Sequence, residues 1–359
     1  MNIFPDDFDY IFYKFFYKDL INFNNDELKN HYLIHGYKEN RMFKLPNDFS
    51  PSFYKNLYND LKNLSDEEAK NHFIIYGINE KRIYKDYIKN ESNFSFKNKP
   101  LNWNNLALYE KIQFTKNKFG KNYSSYVDKI EAKKIVKNLC GDKIKIPVVK
   151  KIFQNYKDIT RDDLHHTFII KGAHSCGANI VLFPEPEPYD IPRLHRVLEE
   201  NFNKKYTLGG ESQYDYLEPK FFTELKIDDK QFGMNGNAIT YMIRCIHGIP
   251  YTLTILDKKN GYQEYYLYNI DKTIKEIDMK NSDIKPVGFN YDLIRPDKNE
   301  LEKMYDLASI LSTQFEFVRI DFYISKNSDI YFSEFTFTPN AGGRVYDLEL
   351  EIMLGKLWK

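Results

Sequence analysis

Cysteine is scarce. Cys140, Cys176 and Cys245 are the only three in 359 residues, and none of their separations matches the paired spacing of a zinc site or a disulfide framework. A reducing compartment, and with it a cytoplasmic location, is the expectation. An excess of one charge is also lacking: 52 Lys and Arg oppose 51 Asp and Glu, for a net charge of +1. Electrostatic steering therefore favours neither nucleic acid nor an anionic membrane as a partner. Long apolar runs are missing as well. The opening stretch MNIFPDDFDYIFYKFFYKDL is aromatic, but acids and lysines interrupt it every few residues, which fits neither a signal peptide nor a membrane span. No G-x4-G-K-[ST] occurs, so a P-loop is excluded. What remains is a chain long enough for two or three domains with a sizeable core.

The N-terminal part is duplicated. A shift of 41 residues places Phe8, Phe12, Tyr13, Tyr17, Asp19, Leu20, His31, Gly36, Glu39 and Arg41 on Phe49, Phe53, Tyr54, Tyr58, Asp60, Leu61, His72, Gly77, Glu80 and Arg82. The apolar spacing predicts two short helices in each unit (about 5–45 and 46–86), with Gly36 and Gly77 as C-caps. His31 and His72 sit beside aromatics on amphipathic helices, where packing and hydrogen bonding are the ordinary use of histidine and metal ligation is rare. The pattern F-x3-FY-x3-Y-x-DL…H-x4-G-x2-E-x-R resembles a short repeat found beside glycosyltransferase and polysaccharide-synthesis domains, which implies a docking or packing module. Polar residues and a Lys-Pro then read as a linker over 87–106.

Chemistry concentrates in the remainder. In FVRIDFYISKNSDIYFSEFTFT, alternation puts Arg319 and Asp321 on one strand face and Val318, Ile320 and Phe322 on the other. The returning strand alternates Glu334, Thr336 and Thr338 with Phe335 and Phe337. If the strands pair, Asp321 and Glu334 converge, and two hard carboxylates suit Mg²⁺ shared with phosphate oxygens. The bland alternative is a hairpin whose acids face water. Upstream, DKIEAKKIVKNLCG reads as a helix with apolar positions Ile130, Ile135, Val136 and Leu139. HTFIIKGAHSCGANIVLF reads as strand, loop, strand, with Lys171 at the end of the first strand, where an ammonium and loop N–H groups can meet phosphate oxygens. KFFTELKID is a strand interrupted by Glu224. NAITYMIRCIHGIPYTLTILDK is a hairpin turning at Gly248 with Thr240, Met242 and Arg244 on one face. A helix over about 299–313 starts from a capping box of Asp297 and Glu300.

In this order the segments resemble the ATP-grasp superfamily, and most closely its TupA-like branch, named for teichuronopeptide biosynthesis, from about residue 107 to 359. The resemblance implies an α+β ATP-grasp fold, two lobes clasping ATP, behind the all-α repeat module of residues 1–86. It implies phosphate binding by Lys129 (or Lys133, one turn on) and Lys171, and a loop over the phosphates made of His174, Ser175, Cys176, Gly177 and Ala178. It places Glu224 and Leu225 beside adenine and ribose, Mg²⁺ on Asp321, Glu334 and Thr336, and Arg319 on the transferred phosphoryl group. The branch often carries D-Y-K where this chain has Thr240, Tyr241 and Met242, and Arg244 is the expected substitute. Cys176 replaces a common Ser, and Thr336 a common Asn. The implied reaction joins a carboxylate to an amine through an acyl phosphate, with a substrate in surface-polysaccharide assembly and a glycosyltransferase or polysaccharide-synthesis protein as partner of the repeats. A nucleotide- or glycan-binding protein without turnover, or a kinase, are the alternatives. The tail TPNAGGRVYD, with Asn340 and Arg344, is expected to face the acceptor.

Overall fold

A computed structural model describes all residues except 1–3, 40, 48, 79, 81, 85–93, 166, 176–178, 182–190, 203–205, 207, 230–237, 258–260, 269–271 and 278–290. The chain divides into two compact units, residues 1–88 and 89–359.

The first unit repeats one small motif. Helix α1 (Tyr10–Phe16) is capped by Asp9, and α2 (Asn25–His31) starts from a capping box of Asn24 and Glu27 and runs on as a π-turn to Gly36. Helices α3 (Pro51–Leu57) and α4 (Asp66–His72) repeat this with Ser50 as cap, a Ser65–Glu68 box and a π-turn to Gly77. The repeated residues account for themselves locally. The Tyr13 hydroxyl and His31 Nδ1 are 3.0 Å apart, and Tyr54 and His72 are 3.1 Å apart. Arg41 lies over the Tyr17 ring and pairs with Asp19 and Glu39, while Arg82 does the same with Tyr58, Asp60 and Glu80. Gly36 and Gly77 are not left-handed caps. Each lies inside the turn, where an added Cβ would stand 2.1 Å from the Tyr13 hydroxyl or 2.3 Å from that of Tyr54. The glycine is there for close approach.

The second unit is α+β, with two antiparallel sheets. Strands β1 (Val149–Phe153), β2 (Phe168–Gly172), β3 (Asn179–Val181) and β4 (Phe221–Leu225) form a four-stranded sheet in the order β1-β4-β2-β3. Strands β5 (Thr240–Ile246), β6 (Ile249–Asp257), β7 (Gly261–Leu267), β8 (Ile274–Glu276), β9 (Phe317–Ile324) and β10 (Ile330–Thr336) form a six-stranded sheet in the order β10-β9-β5-β6-β7-β8. His247 and Gly248, both at positive φ, close the β5–β6 hairpin. One face of the larger sheet, with Ile243, Leu253, Val318, Ile320 and Phe322, packs on helices α6 (Lys121–Val127), α7 (Lys129–Cys140) and α9 (Lys298–Ser312) to form the main core. The Asp297–Glu300 capping box starts α9. The smaller sheet buries Phe153, Ile170 and Phe221 against Leu198 of α8 (Ile191–Phe202).

Two expectations are corrected here. The buried stripe of α7 contains Ile130, Ala132, Val136 and Cys140 together with Lys129 and Lys133, whereas Leu139 is exposed. The lysines take inward positions that an apolar pattern assigns elsewhere. Residues 94–106 are also no solvated linker. Phe94 bridges to Phe315, Lys99 pairs with Glu316, and Trp103 is buried against Trp358, which follows the last helix α10 (Leu348–Leu357). The remaining helix α5 (Leu108–Thr115) sends Lys111 to the carbonyls of Gly355 and Trp358.

Candidate active site

The site begins at the N-terminus of α7. Asp128 caps the helix by accepting from the N–H groups of Ile130 (2.9 Å) and Glu131 (3.2 Å), and it pairs with Lys220 at 2.7 Å. The Lys129 N–H donates to the Ala173 carbonyl at 3.1 Å, which fixes this end of α7 to the chain leaving β2. Lys129 and Lys133, one turn apart, are thereby both buried. The Lys129 ammonium donates to the Ser175 carbonyl and lies 3.7 Å from Glu334. Lys133 stands 3.0 Å from Glu224 Oε2, close enough for an ion pair but without hydrogen-bond alignment. Lys171 from β2 meets the other Glu224 oxygen. Two buried ammonium groups thus flank the buried Glu224 carboxylate, and a third, Lys129, stands nearby at the Ser175 carbonyl and Glu334. Burial opposes the charges of Glu224, Lys133 and Lys171. Glu224 is nonetheless held below the usual carboxylate range by Lys171 and Lys133, and Lys171 above its ordinary value by Glu224. For Lys133 burial wins, with Lys171 and Lys129 adding to it, and its pKa is lowered. Glu224 chiefly serves Lys171, and the cluster is short of negative charge.

Facing this cluster are β9 and β10. Their register sets Asp321 opposite Glu334 and Arg319 opposite Thr336, with an irregularity between Phe332 and Glu334. That bulge lets Phe332 and Phe335 both enter the core while Glu334 and Thr336 share the open face with Asp321. The Arg319 guanidinium donates to both oxygens of Asp321 (2.7 and 2.6 Å) and to Thr336 Oγ1 (3.0 Å), and it lies 3.8 Å from Glu334. The three side chains expected to hold a cation therefore surround one, supplied by the protein itself. Burial pushes the Asp321 carboxyl up to about 6, against the pull of Arg319.

The sequence model of the TupA-like ATPgrasp family matches residues 110–359. The chain belongs to the TupA-like ATP-grasp family. No curated protein matches it. Among solved structures, an L-amino acid ligase from Bacillus licheniformis is similar at 13% identity and TM-score 0.33, over 60% of this chain and 44% of that one. D-alanine–D-alanine ligases from Bacillus anthracis (11% identity, TM-score 0.32, 65% of this chain and 64% of that one) and Helicobacter pylori (14%, 0.33, 65% and 60%) are similar in the same way. The chain spans less than two thirds of the length of each of these three.

The other expected residues of the TupA-like site fall into different places. Arg244 is not an open substitute for a lysine. It is buried, donating to Thr254 (2.7 Å), Tyr346 (2.7 Å) and Glu264 (3.2 Å), and Tyr346 in turn contacts Thr252 at 2.8 Å. Met242, not Arg244, lies opposite Asp321. His174 is buried, with Nδ1 3.2 Å from both backbone polar atoms of Lys220, so it fastens the loop to the start of β4. Ser175 Oγ is buried and has no hydrogen-bond partner among the described residues. Cys176, Gly177 and Ala178 lie outside the described residues. Leu225 donates its N–H to the Val148 carbonyl at 2.9 Å, so that donor is already used. Glu224, expected beside adenine and ribose, has its two oxygens turned to lysines.

Sequence reasoning missed Tyr323, whose ring centre is 5.8 Å from the Lys171 ammonium. The alternation that selected Arg319 and Asp321 selects it too. It also missed Glu264, Tyr346 and Glu211, which accepts from Thr338 and Tyr206. Those three come from distant segments, and no local pattern connects them.

Proposed function

We propose that this chain is an ATP-dependent ligase that joins a carboxylate to an amine through an acyl phosphate, with Mg²⁺ as cofactor, in the cytoplasm. The observation that carries the reading is the buried set of Lys129, Lys133 and Lys171, of which two share the carboxylate of Glu224 and the third has only Glu334, at 3.7 Å. Buried positive charge in excess of its counter-ions calls for a polyanion. The buried Ser175 hydroxyl, without a hydrogen-bond partner among the described residues, fits the same demand. Lys129 and Lys171 would neutralise the nucleotide phosphates, backed by Lys133, while the loop from His174 to Ala178 supplies donors. Asp321, Glu334 and Thr336 would hold Mg²⁺, since the same three already converge on the Arg319 guanidinium. The ion, when bound, supplies charge neutralisation at the phosphate oxygens. Arg319 would then turn from Asp321 to the transferred group.

In the first step a substrate carboxylate oxygen bonds to the γ-phosphorus and the bond to the ADP oxygen breaks. In the second, the amine nitrogen bonds to the acyl carbon, inorganic phosphate leaves, and the nitrogen loses a proton. The substrate we propose is a uronic acid or an amino acid joined to a glycan in surface-polysaccharide assembly, with the N-terminal repeats docking a glycosyltransferase or polysaccharide-synthesis protein.

One observation favours a second reading. Met242 opposite Asp321 and the sequestered Arg244 leave the open face with fewer cations than the branch pattern, which suits a nucleotide- or glycan-binding protein without turnover. Incubation with Mg-ATP, pooled uronic acids and hydroxylamine separates the readings. Hydroxamate with matching ADP is expected. ATP binding without ADP marks the non-catalytic protein, and a stable phosphate ester without hydroxamate marks a kinase. ADP release that persists unchanged in Asp321→Asn with Glu334→Gln would sink the metal assignment.

A further inference from the structure

A second concavity lies along the adjoining flank of α7. Its volume is about 810 Å³, and of the lysine cluster only Lys133 lines it. The floor is apolar, formed by Ile130, Ile144, Pro147 and Val149, and Ile152 stands at the mouth with 45% of its surface exposed. Around this floor stand Lys134, Lys137 and Lys145. These three lysines face a single lining acid, Asp142, while Lys133 also lines the cavity with its ammonium turned to Glu224. Lys137 is paired with Asp142 and Lys134 with Glu131, both as exposed ion pairs of the kind that cost little to rearrange.

The walls are fixed by backbone bonding. Lys145 donates its N–H to Ile330 (2.9 Å) and accepts from the Phe332 N–H (3.0 Å), tying this segment to β10. Four residues later Val149 is paired with Glu224 of β4. A preformed apolar hollow of this size with a few convergent charged groups has the character of a small-molecule site.

We infer that this cavity binds a small soluble amphiphilic anion, its apolar body on the isoleucine floor and its phosphate, sulfonate or carboxylate among the lysines. The inference does not rest on the ligase reading: Lys133 is the one lining residue shared with that cluster, its ammonium is paired with Glu224, and Glu224, Lys171 and the β9–β10 hairpin do not line the cavity.

The probe is 8-anilinonaphthalene-1-sulfonate, an aromatic sulfonate whose fluorescence rises on burial, titrated into the full chain. One-to-one saturation is expected. Lys137→Glu with Lys145→Glu should raise the dissociation constant about tenfold through two reversed rim charges. Ile152→Asp should weaken binding as well, by removing apolar contact. All three positions are exposed, and the thermal midpoint, measured alongside, should not move. Affinity within about twofold of the parent in both variants would overturn the inference. So would a probe displaced by Mg-ATP and indifferent to the lysine reversals, which would place it in the nucleotide cleft. Flotation of the chain with phosphatidylglycerol vesicles, abolished by the same reversals, would assign the lysines to a membrane surface and overturn it too.

Discussion

Arg319 fills with one guanidinium the place where Asp321, Glu334 and Thr336 converge, so any other cation there competes with it. The competition has a pH signature. Burial raises Asp321 to about 6 from an ordinary 3.8, and Arg319 is the first influence pulling it down. A divalent cation needs the carboxylate, so Mg²⁺-dependent turnover should rise between about pH 5 and 7. Arg319→Met should shift that limb to higher pH, and an unshifted limb in this variant would show that Asp321 does not set it. The linkage sign for stability is opposite. The native state holds this proton more tightly than the unfolded chain, so the contribution of Asp321 to stability is lost as pH rises through 6. Glu224 gives a second prediction at this scale. Its carboxylate faces Lys171 and Lys133, both buried. Glu224→Gln should therefore cost about 3 kcal/mol in urea unfolding, the penalty of leaving buried charges unpaired. Added pyrophosphate should restore part of it if the cluster accepts phosphate, and no recovery would count against that role.

At the level of elements, the two helical repeats depend on a contact that sequence alone misassigns. A glycine after an apolar stretch is the ordinary helix-stop signal, yet Gly36 and Gly77 are needed because the Tyr13 and Tyr54 hydroxyls occupy the space a Cβ would take. Gly36→Ala should cost about 2 kcal/mol through overpacking, and the cost should shrink in a Tyr13→Phe background, where the clashing oxygen is gone. Equal costs in both backgrounds would show that backbone conformation, and not Tyr13, decides. The contrast with the β9–β10 hairpin explains what was legible. Strand alternation has a period of two and needs no partner to be read, so Arg319, Asp321, Glu334 and Thr336 could be placed on one face in advance. The capping box of α9 is similarly local. The sequestration of Arg244 was not legible, because Thr254, Glu264 and Tyr346 reach it from three separate segments. Nor was the inward turn of Lys129 and Lys133, whose reason lies on β4 in Glu224 and beyond it in Glu334.

For the whole molecule, the family match and the structural unit do not start at the same residue. The match begins at 110, whereas the second unit begins at 89. The described residues between them, from 94 on, form an arm that the polar sequence disguises as a linker. Glu316 gathers it: Ser95 Oγ, the Phe96 N–H and Lys99 all donate to this carboxylate, and so does Trp358 Nε1 from the C-terminal end. Phe94 packs on Phe315 and Tyr123, and Trp103 on Trp358. The arm therefore links the start of the unit to its last residues through one buried acid. A chain of residues 107–359, cut close to the family boundary, should be less stable than one of 89–359 by up to about 5 kcal/mol, the combined worth of burying Trp103 and partly burying Phe94 and Phe96. Glu316→Ala in the longer chain should reproduce much of that loss, since it removes the shared acceptor and strands the Trp358 indole N–H. Urea midpoints measured for the three proteins decide the matter. Coincident transitions would mean that the arm lies on the unit without holding it together.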